Sequence, residues 1–191
     1  MPVLYALFDT AIGVCGLAWG AHGILGAQLP ETSAQKTRAR LLQCFPGAGD
    51  KAAAGEAERA AEGIAALLRG EPSDLSGILL DMSTLPPFHR RVYAAARAIP
   101  RGSTVTYGAL ADSIGAPRAA RAVGQALARN PFPLLVPCHR VTGANGRMGG
   151  FSAHGGIATK LRLLAIEGLD RPWEARSSPW LLREPVLRLP A

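Results

Sequence analysis

Pro137-Cys138-His139-Arg140-Val141 confines a thiol between a rigid residue and a base. Pro137 locks its own φ and offers no N–H. The apolar run Pro133-Leu134-Leu135-Val136 precedes it and the turn residues Thr142-Gly143-Ala144-Asn145-Gly146 follow. The run predicts a short buried strand that ends at the cysteine. Neighbouring side chains on an extended strand point to opposite faces, so Cys138 and His139 cooperate only if the chain turns directly after Cys138. The polar pair His139-Arg140 marks the end of the strand there. A free cysteine also packs well as a small buried hydrophobe, so the pentapeptide alone leaves a nucleophile and a core residue both open.

Upstream, residues 118–129 read as a helix closed by Asn130-Pro131. Proline at 131 disfavours helical backbone at Asn130 and so presents that side chain at an irregular corner. Thr106 caps a preceding helix over 107–114, and Gly115-Ala116-Pro117 makes a tight turn between the two. Two short helices across a glycine turn form a helix-turn-helix whose second member is the recognition helix. Its sequence, Arg118-Ala119-Ala120-Arg121-Ala122-Val123-Gly124, is small and basic. Small residues admit the close approach of a nucleic-acid backbone or of a neighbouring helix.

The net charge of +7 is unevenly spread. Residues 1–85 carry six Lys/Arg against nine Asp/Glu, whereas residues 86–171 carry twelve against three. The positive charge therefore sits with the cysteine, spread over a folded face, and such a face attracts polyanions. Three cysteines with no CxxC spacing argue against a disulfide framework and a zinc site and imply a reducing compartment. Cys15, Cys44, His22 and His89 share no ligand spacing and read as structural or incidental. The apolar stretch 3–29 lacks a basic start, contains Asp9 and is rich in glycine, so it reads as neither signal nor membrane segment, and a cytoplasmic location is expected.

The first 85 residues predict a scaffold. Runs at 3–8, 13–19 and 23–29 form an antiparallel meander. Thr32 or Ser33 caps a helix to about residue 45, a second helix covers 56–69, and 78–82 reads as a final strand. Leu85-Pro86-Pro87 links to a helix over 88–99, Ser103-Thr104-Val105 is extended, and 160–167 is a last helix ended by Gly168. The tail from 171 holds Trp173, Trp180, Leu181 and Leu182, which suit a segment packed onto a lobe.

RAVGQALARNPFPLLVPCHRV, with the later GGFSAHGG and KLRLLAIEG, closely resembles the O6-alkylguanine-DNA alkyltransferases, the methylated-DNA-protein-cysteine methyltransferases, over residues 86–168. The resemblance implies an α+β fold: an N-terminal ribonuclease H-like lobe with an antiparallel sheet (1–85), a mainly helical winged helix-turn-helix lobe (86–170) and a tail (171–191). It implies irreversible, single-turnover transfer of the alkyl group from O6-alkylguanine, and from O4-alkylthymine, to Cys138 after base flipping, with no cofactor and no metal. His139 would act as base through a water, Glu167 would hold His139, Tyr107 would donate to the leaving base and Asn130 would order the Cys-His turn. Arg121 would replace the flipped base, with Thr106, Arg118, Ala120, Ala122 and Gly124 at the DNA. Val141, Pro133, Phe151, Ser152 and Lys160 would form the pocket. The implied partner is lesion-bearing double-stranded DNA, bound through its minor groove by a monomer, with no membrane; in a eukaryote the location would be nuclear.

This chain departs from the family pattern at Phe151, where tyrosine is common, and in a loop over 151–156 that carries two additional residues. The range of alkyl groups is thus unread from sequence. Two other readings stay open: a damage-binding relative, which would lack the cysteine, and a helix-turn-helix regulator with Cys138 merely buried.

Overall fold

The computed structural model describes residues 2–169. Glycine-punctuated apolar runs at the N-terminus fold into β1 (Leu4–Thr10), β2 (Gly13–Gly20) and β3 (Gly23–Gln28), antiparallel in register Tyr5 to Ala18 and Leu17 to Ala27. Gly13 and Gly23 turn the two hairpins at φ 127° and 125°, backbone that L side chains rarely adopt. A short strand, β4 (Gly49–Asp50), adds parallel to β1 and gives the order β3-β2-β1-β4.

Successive residues of a strand face opposite sides, and β2 buries both. Ala18 joins Tyr5 and Leu41 of α1 (Ala34–Cys44) in a small cluster, while Leu17 joins the main core with Ile64 and Leu67 of α2 (Glu56–Leu68). Ser33, rather than Thr32, caps α1 by accepting from Lys36 N at 3.3 Å. Each leucine or isoleucine so buried contributes roughly 1.5–3 kcal/mol.

Residues 78–82 do not form the expected strand. Leu80 makes a single parallel bridge to Ile24. The Asp81 carboxylate then accepts from Ser83 N at 3.0 Å and turns the chain away before a ladder extends.

The remaining elements are helical. Pro87 begins α3 (Pro87–Arg97), which buries Val92, Tyr93 and Ala96. Thr106 caps α4 (Tyr107–Ser113) by accepting from Ala109 N at 3.0 Å, and α5 (Ala120–Ala128) follows across a short turn. β5 (Val105–Thr106) pairs parallel with β6 (Val141–Thr142), and α6 (Ile157–Ile166) comes last. The main core is continuous from Leu17 and Ile24 through Tyr93, Val123 and Phe132 to Leu163.

Residues 133–136 are a turn, not the expected strand. Pro131 and Pro133 have no N–H to give a ladder. Instead Val136 N donates to Phe132 O at 2.7 Å, Leu134 takes a left-handed φ of 71°, and Ala27 N of β3 donates to Pro131 O at 2.8 Å. That last bond hooks the loop before Cys138 to the sheet. Among the described residues no helix is long and apolar enough to cross a membrane. Trp173, Trp180, Leu181 and Leu182 lie outside the described residues.

Tyr93 donates its hydroxyl to Ala126 O at 2.8 Å in the core, tying α3 to α5. Tyr93→Phe is expected to cost about 1 kcal/mol of stability in urea denaturation; an unchanged midpoint would show that this tie contributes nothing.

Candidate active site

Pro137 and the two residues after Cys138 close a turn of 3-10 helix, Cys138–Arg140, with Arg140 N donating to Pro137 O at 2.9 Å. The chain thus bends at the cysteine, as cooperation with His139 requires. His139 is fully buried, and its Nε2 lies 2.9 Å from Glu167 Oε1. Glu167 caps the C-terminus of α6, and Gly168, at φ 89°, turns the chain away behind it. An acid at a helix C-terminus is disfavoured by the dipole. Arg140 offsets this: its Nε and Nη2 donate to the carboxylate at 2.9 and 2.8 Å, and its Nη1 donates to Ile99 O at 2.6 Å.

Burial alone would raise the Glu167 pKa, but bonds from His139 and Arg140 outweigh it and hold the group at about 2. Burial keeps His139 below its ordinary value, so the ring is neutral. A neutral ring facing a carboxylate carries its proton on Nε2. Nδ1 is then the basic nitrogen, and it is buried without a protein partner.

The Cys138 thiol is pushed up by burial. Opposing that are a hydrogen bond with Asn130, the charge of Lys160 and the backbone N–H groups of 138 and 139. Asn130 is itself locked: its Nδ2 donates to Val136 O and its Oδ1 accepts from Phe132 N, both at 2.9 Å. Lys160, fully buried, donates to Val141 O at 2.6 Å and to Met148 O, with Nζ 6.0 Å from the Tyr107 ring centre; burial lowers its pKa to about 8.

Cys138 stands in the wall between two cavities. The larger, about 590 Å³, is lined also by Tyr107, Ala120, Arg121, Gly124, Phe151 and Ser152. The smaller, about 270 Å³, reaches past Asn130, Pro133 and Phe151 to the sheet lobe. A Cβ at Gly149 would stand 2.7 Å from the Tyr107 hydroxyl, so glycine there lets the 148–152 loop close over that ring. Val141 and Lys160 line neither cavity; both are fully buried. Thr106 serves as a cap, Arg118 and Arg121 are exposed, and Ala122 is half-buried.

Sequence reasoning overlooked Arg140. A charged residue inside an apolar run needs a buried partner, and Glu167 is one of two acids between 86 and 169, so the signal was present. Among the described residues no group of three or more His, Cys, Asp or Glu could hold a metal, and all three cysteines are free.

A family model described as the DNA binding domain of 6-O-methylguanine DNA methyltransferase matches residues 87–169. The chain is 36% identical over 168 residues to a methylated-DNA–protein-cysteine methyltransferase of Mycolicibacterium paratuberculosis, covering 88% of this chain and 94% of that one. It is 44% identical over 120 residues to a DNA base-flipping protein of Thermus thermophilus, covering 63% and 79%. Among solved structures it is similar to a Mycobacterium tuberculosis OGT in complex with DNA, at a TM-score of 0.71 and 32% identity over 93% of this chain and 98% of that one.

Glu167→Gln leaves Arg140 buried without its counter-charge, at an expected cost of roughly 3–5 kcal/mol in urea denaturation at neutral pH. The pH dependence follows from both shifts. Folded His139 refuses a proton that the unfolded chain takes below about 6.5, and folded Glu167 refuses one between 4.5 and about 2. Each group binds more protons unfolded, so stability falls as pH falls through each window. The variant is expected to lose the lower window; wild-type stability flat between pH 4.5 and 3 would contradict an ionised Glu167.

Proposed function

The chain belongs to the methylated-DNA–protein-cysteine methyltransferase family, and on that premise we propose that Cys138 takes the alkyl group of O6-alkylguanine, and of O4-alkylthymine, from double-stranded DNA in one irreversible turnover. The observation that carries this reading is a thiol opening onto a cavity walled by α5, with a neutral histidine bonded to a buried carboxylate next to it in the same turn.

Dealkylation needs a soft nucleophile in line with the carbon–oxygen bond, and a thiolate is the strongest a protein offers at neutral pH. His139 takes the thiol proton at Nδ1 through an intervening water, and Glu167 stabilises the imidazolium that forms. The sulfur then bonds to the alkyl carbon while the carbon–O6 bond breaks, and its electron pair leaves with the guanine. Tyr107 donates a hydrogen bond to the departing base. The proton lost by the thiol returns to the purine, so the products are S-alkyl-Cys138 and guanine. Lys160 supplies positive charge beside the sulfur as the thiolate forms. A thioether has no leaving group to restore the thiol, hence the single turnover.

The target base lies inside a duplex and must be extruded, at a cost of a few kcal/mol. Arg121, exposed on α5 at the mouth of the larger cavity, occupies the gap. Ala120, Ala122 and Gly124 allow α5 to approach the minor groove closely, and Thr106 and Arg118 contact the backbone. Pro133, Phe151 and Ser152 face the alkylated base, and buried Val141 and Lys160 support that pocket from within the core. The base-flipping relative supports extrusion. We read residues 1–85 as a ribonuclease H-like scaffold and 86–170 as a winged helix-turn-helix lobe, acting as a monomer; the α4–α5 pair supports the helix-turn-helix part of that reading.

Incubation with a duplex carrying O6-methylguanine, followed by intact mass and peptide mapping, is expected to show a gain of one methylene on Cys138. Unchanged mass with tight lesion binding would instead indicate a damage-binding protein. Cys138→Ser is expected to keep DNA affinity and lose transfer altogether. Arg121→Ala is expected to weaken capture of the lesion by about tenfold more than binding to undamaged duplex; equal losses would refute its role in the gap.

A further inference from the structure

A third cavity, of about 190 Å³, reaches the active-site turn at Pro137 and Arg140 without Cys138 in its wall, and has room for several water-sized groups. Buried Leu75, Ile99 and Leu135 give it an apolar lining, and three guanidiniums, Arg97, Arg101 and Arg140, give it charge. Asp74 is the one carboxylate among its lining residues. A guanidinium carries five N–H groups. Arg140 gives three of them to Glu167 and Ile99 O, which leaves two. Arg97 gives Nη2 to the carbonyls of Leu75, Ser76 and Ile78 at 2.6 to 3.0 Å, while its Nε is buried without a partner among the described residues. Arg101 likewise spends its donors on carbonyls, those of Gly70, Glu71 and Ile166. Carbonyls hold these side chains but do not neutralise them, and among the described residues neither Arg97 nor Arg101 forms an ion pair. Burial pulls the Arg97 pKa below its ordinary value, with the charge of Asp74 acting the other way.

We propose that this cavity binds a small tetrahedral oxyanion of the phosphate type, held by the guanidiniums of Arg97, Arg101 and Arg140, and that the ion ties the end of α3 to the turn that carries Cys138 and His139. Four oxygens accept from several sides at once, and guanidiniums match pairs of them. Asp74 opposes the ion by its charge, although its Oδ1 is already engaged by Ser76 N at 2.8 Å. No residue of α4 or α5 lines the cavity, so a duplex held by α5 does not supply the phosphate, and the ligand is a free ion. An ion bound only by the folded chain stabilises it. Its binding needs no alkyl transfer.

The test titrates inorganic phosphate into the full chain, with chloride holding the ionic strength constant. Binding is read in proton–nitrogen NMR spectra at the Nε–H groups of Arg97 and Arg140, with Arg140 alone serving in the Arg97 variant. Wild type is expected to show saturable shifts at both groups, unchanged when undamaged duplex occupies α5. Arg97→Gln is expected to weaken binding by about tenfold or more, the loss of a charge-assisted bond. Asp74→Asn keeps an acceptor for Ser76 N but removes the opposing charge, and is expected to tighten binding by about threefold. That second variant carries the test where the first does not fold. No saturable shift at Arg97 up to about 10 mM phosphate, an affinity left unchanged by both variants, which would mean an adventitious ion only, or release of the ion by undamaged duplex would each overturn the proposal.

Discussion

A single buried carboxylate holds the reactive end of this molecule together. Glu167 is shared between His139 and Arg140, two consecutive residues of one turn, at 2.8 to 2.9 Å. Taking such ions out of water costs several kcal/mol each, and replacing them with apolar groups would often cost nothing in stability. Their presence is explained by what they do to the imidazole. A fixed acceptor at Nε2 determines the tautomer, and the guanidinium keeps the acceptor ionised. The basic nitrogen, Nδ1, is thereby set by the fold itself.

Everything around that carboxylate serves to keep the turn in place. Ile99, at the end of α3, accepts from Arg140, and Asn130 bridges Val136 and Phe132 across the preceding loop. The sheet reaches the same loop through Ala27 and Pro131, and Arg101 reaches α6 from the other side by donating to Ile166 O at 3.0 Å. The sheet lobe is thus part of the support of the thiol, and through α1 part of its surroundings as well.

Much of the architecture followed from local chemistry. The hairpin glycines, Ser33 and Thr106 as caps, Pro87 as a helix start and Gly168 as a stop all act within a few residues, where steric preference and capping are strong. Two strand expectations failed for one reason. An apolar run states that a segment is buried, but a strand also needs a partner with free backbone groups. Pro131 and Pro133 stand where donors are needed, and 78–82 meets Ile24 only at Leu80 before Asp81 turns the chain.

The site shows the same division. The residues themselves announce a thiol beside a base, a corner at Asn130, a small basic helix and a positive C-terminal half, because residue type and spacing are one-dimensional facts. Most contacts across long separations were not readable: Lys160 spent on the carbonyls of Val141 and Met148, and α1 facing the cysteine across a cavity; Arg140 on a carboxylate 27 residues away was signalled only by the scarcity of acids in that half. Pattern along the chain determined which groups were available, while the choice of partner for each charge, and the room left beside the sulfur, were decided by packing. Desolvation makes every buried charge find a partner, and which partner is near depends on the whole fold.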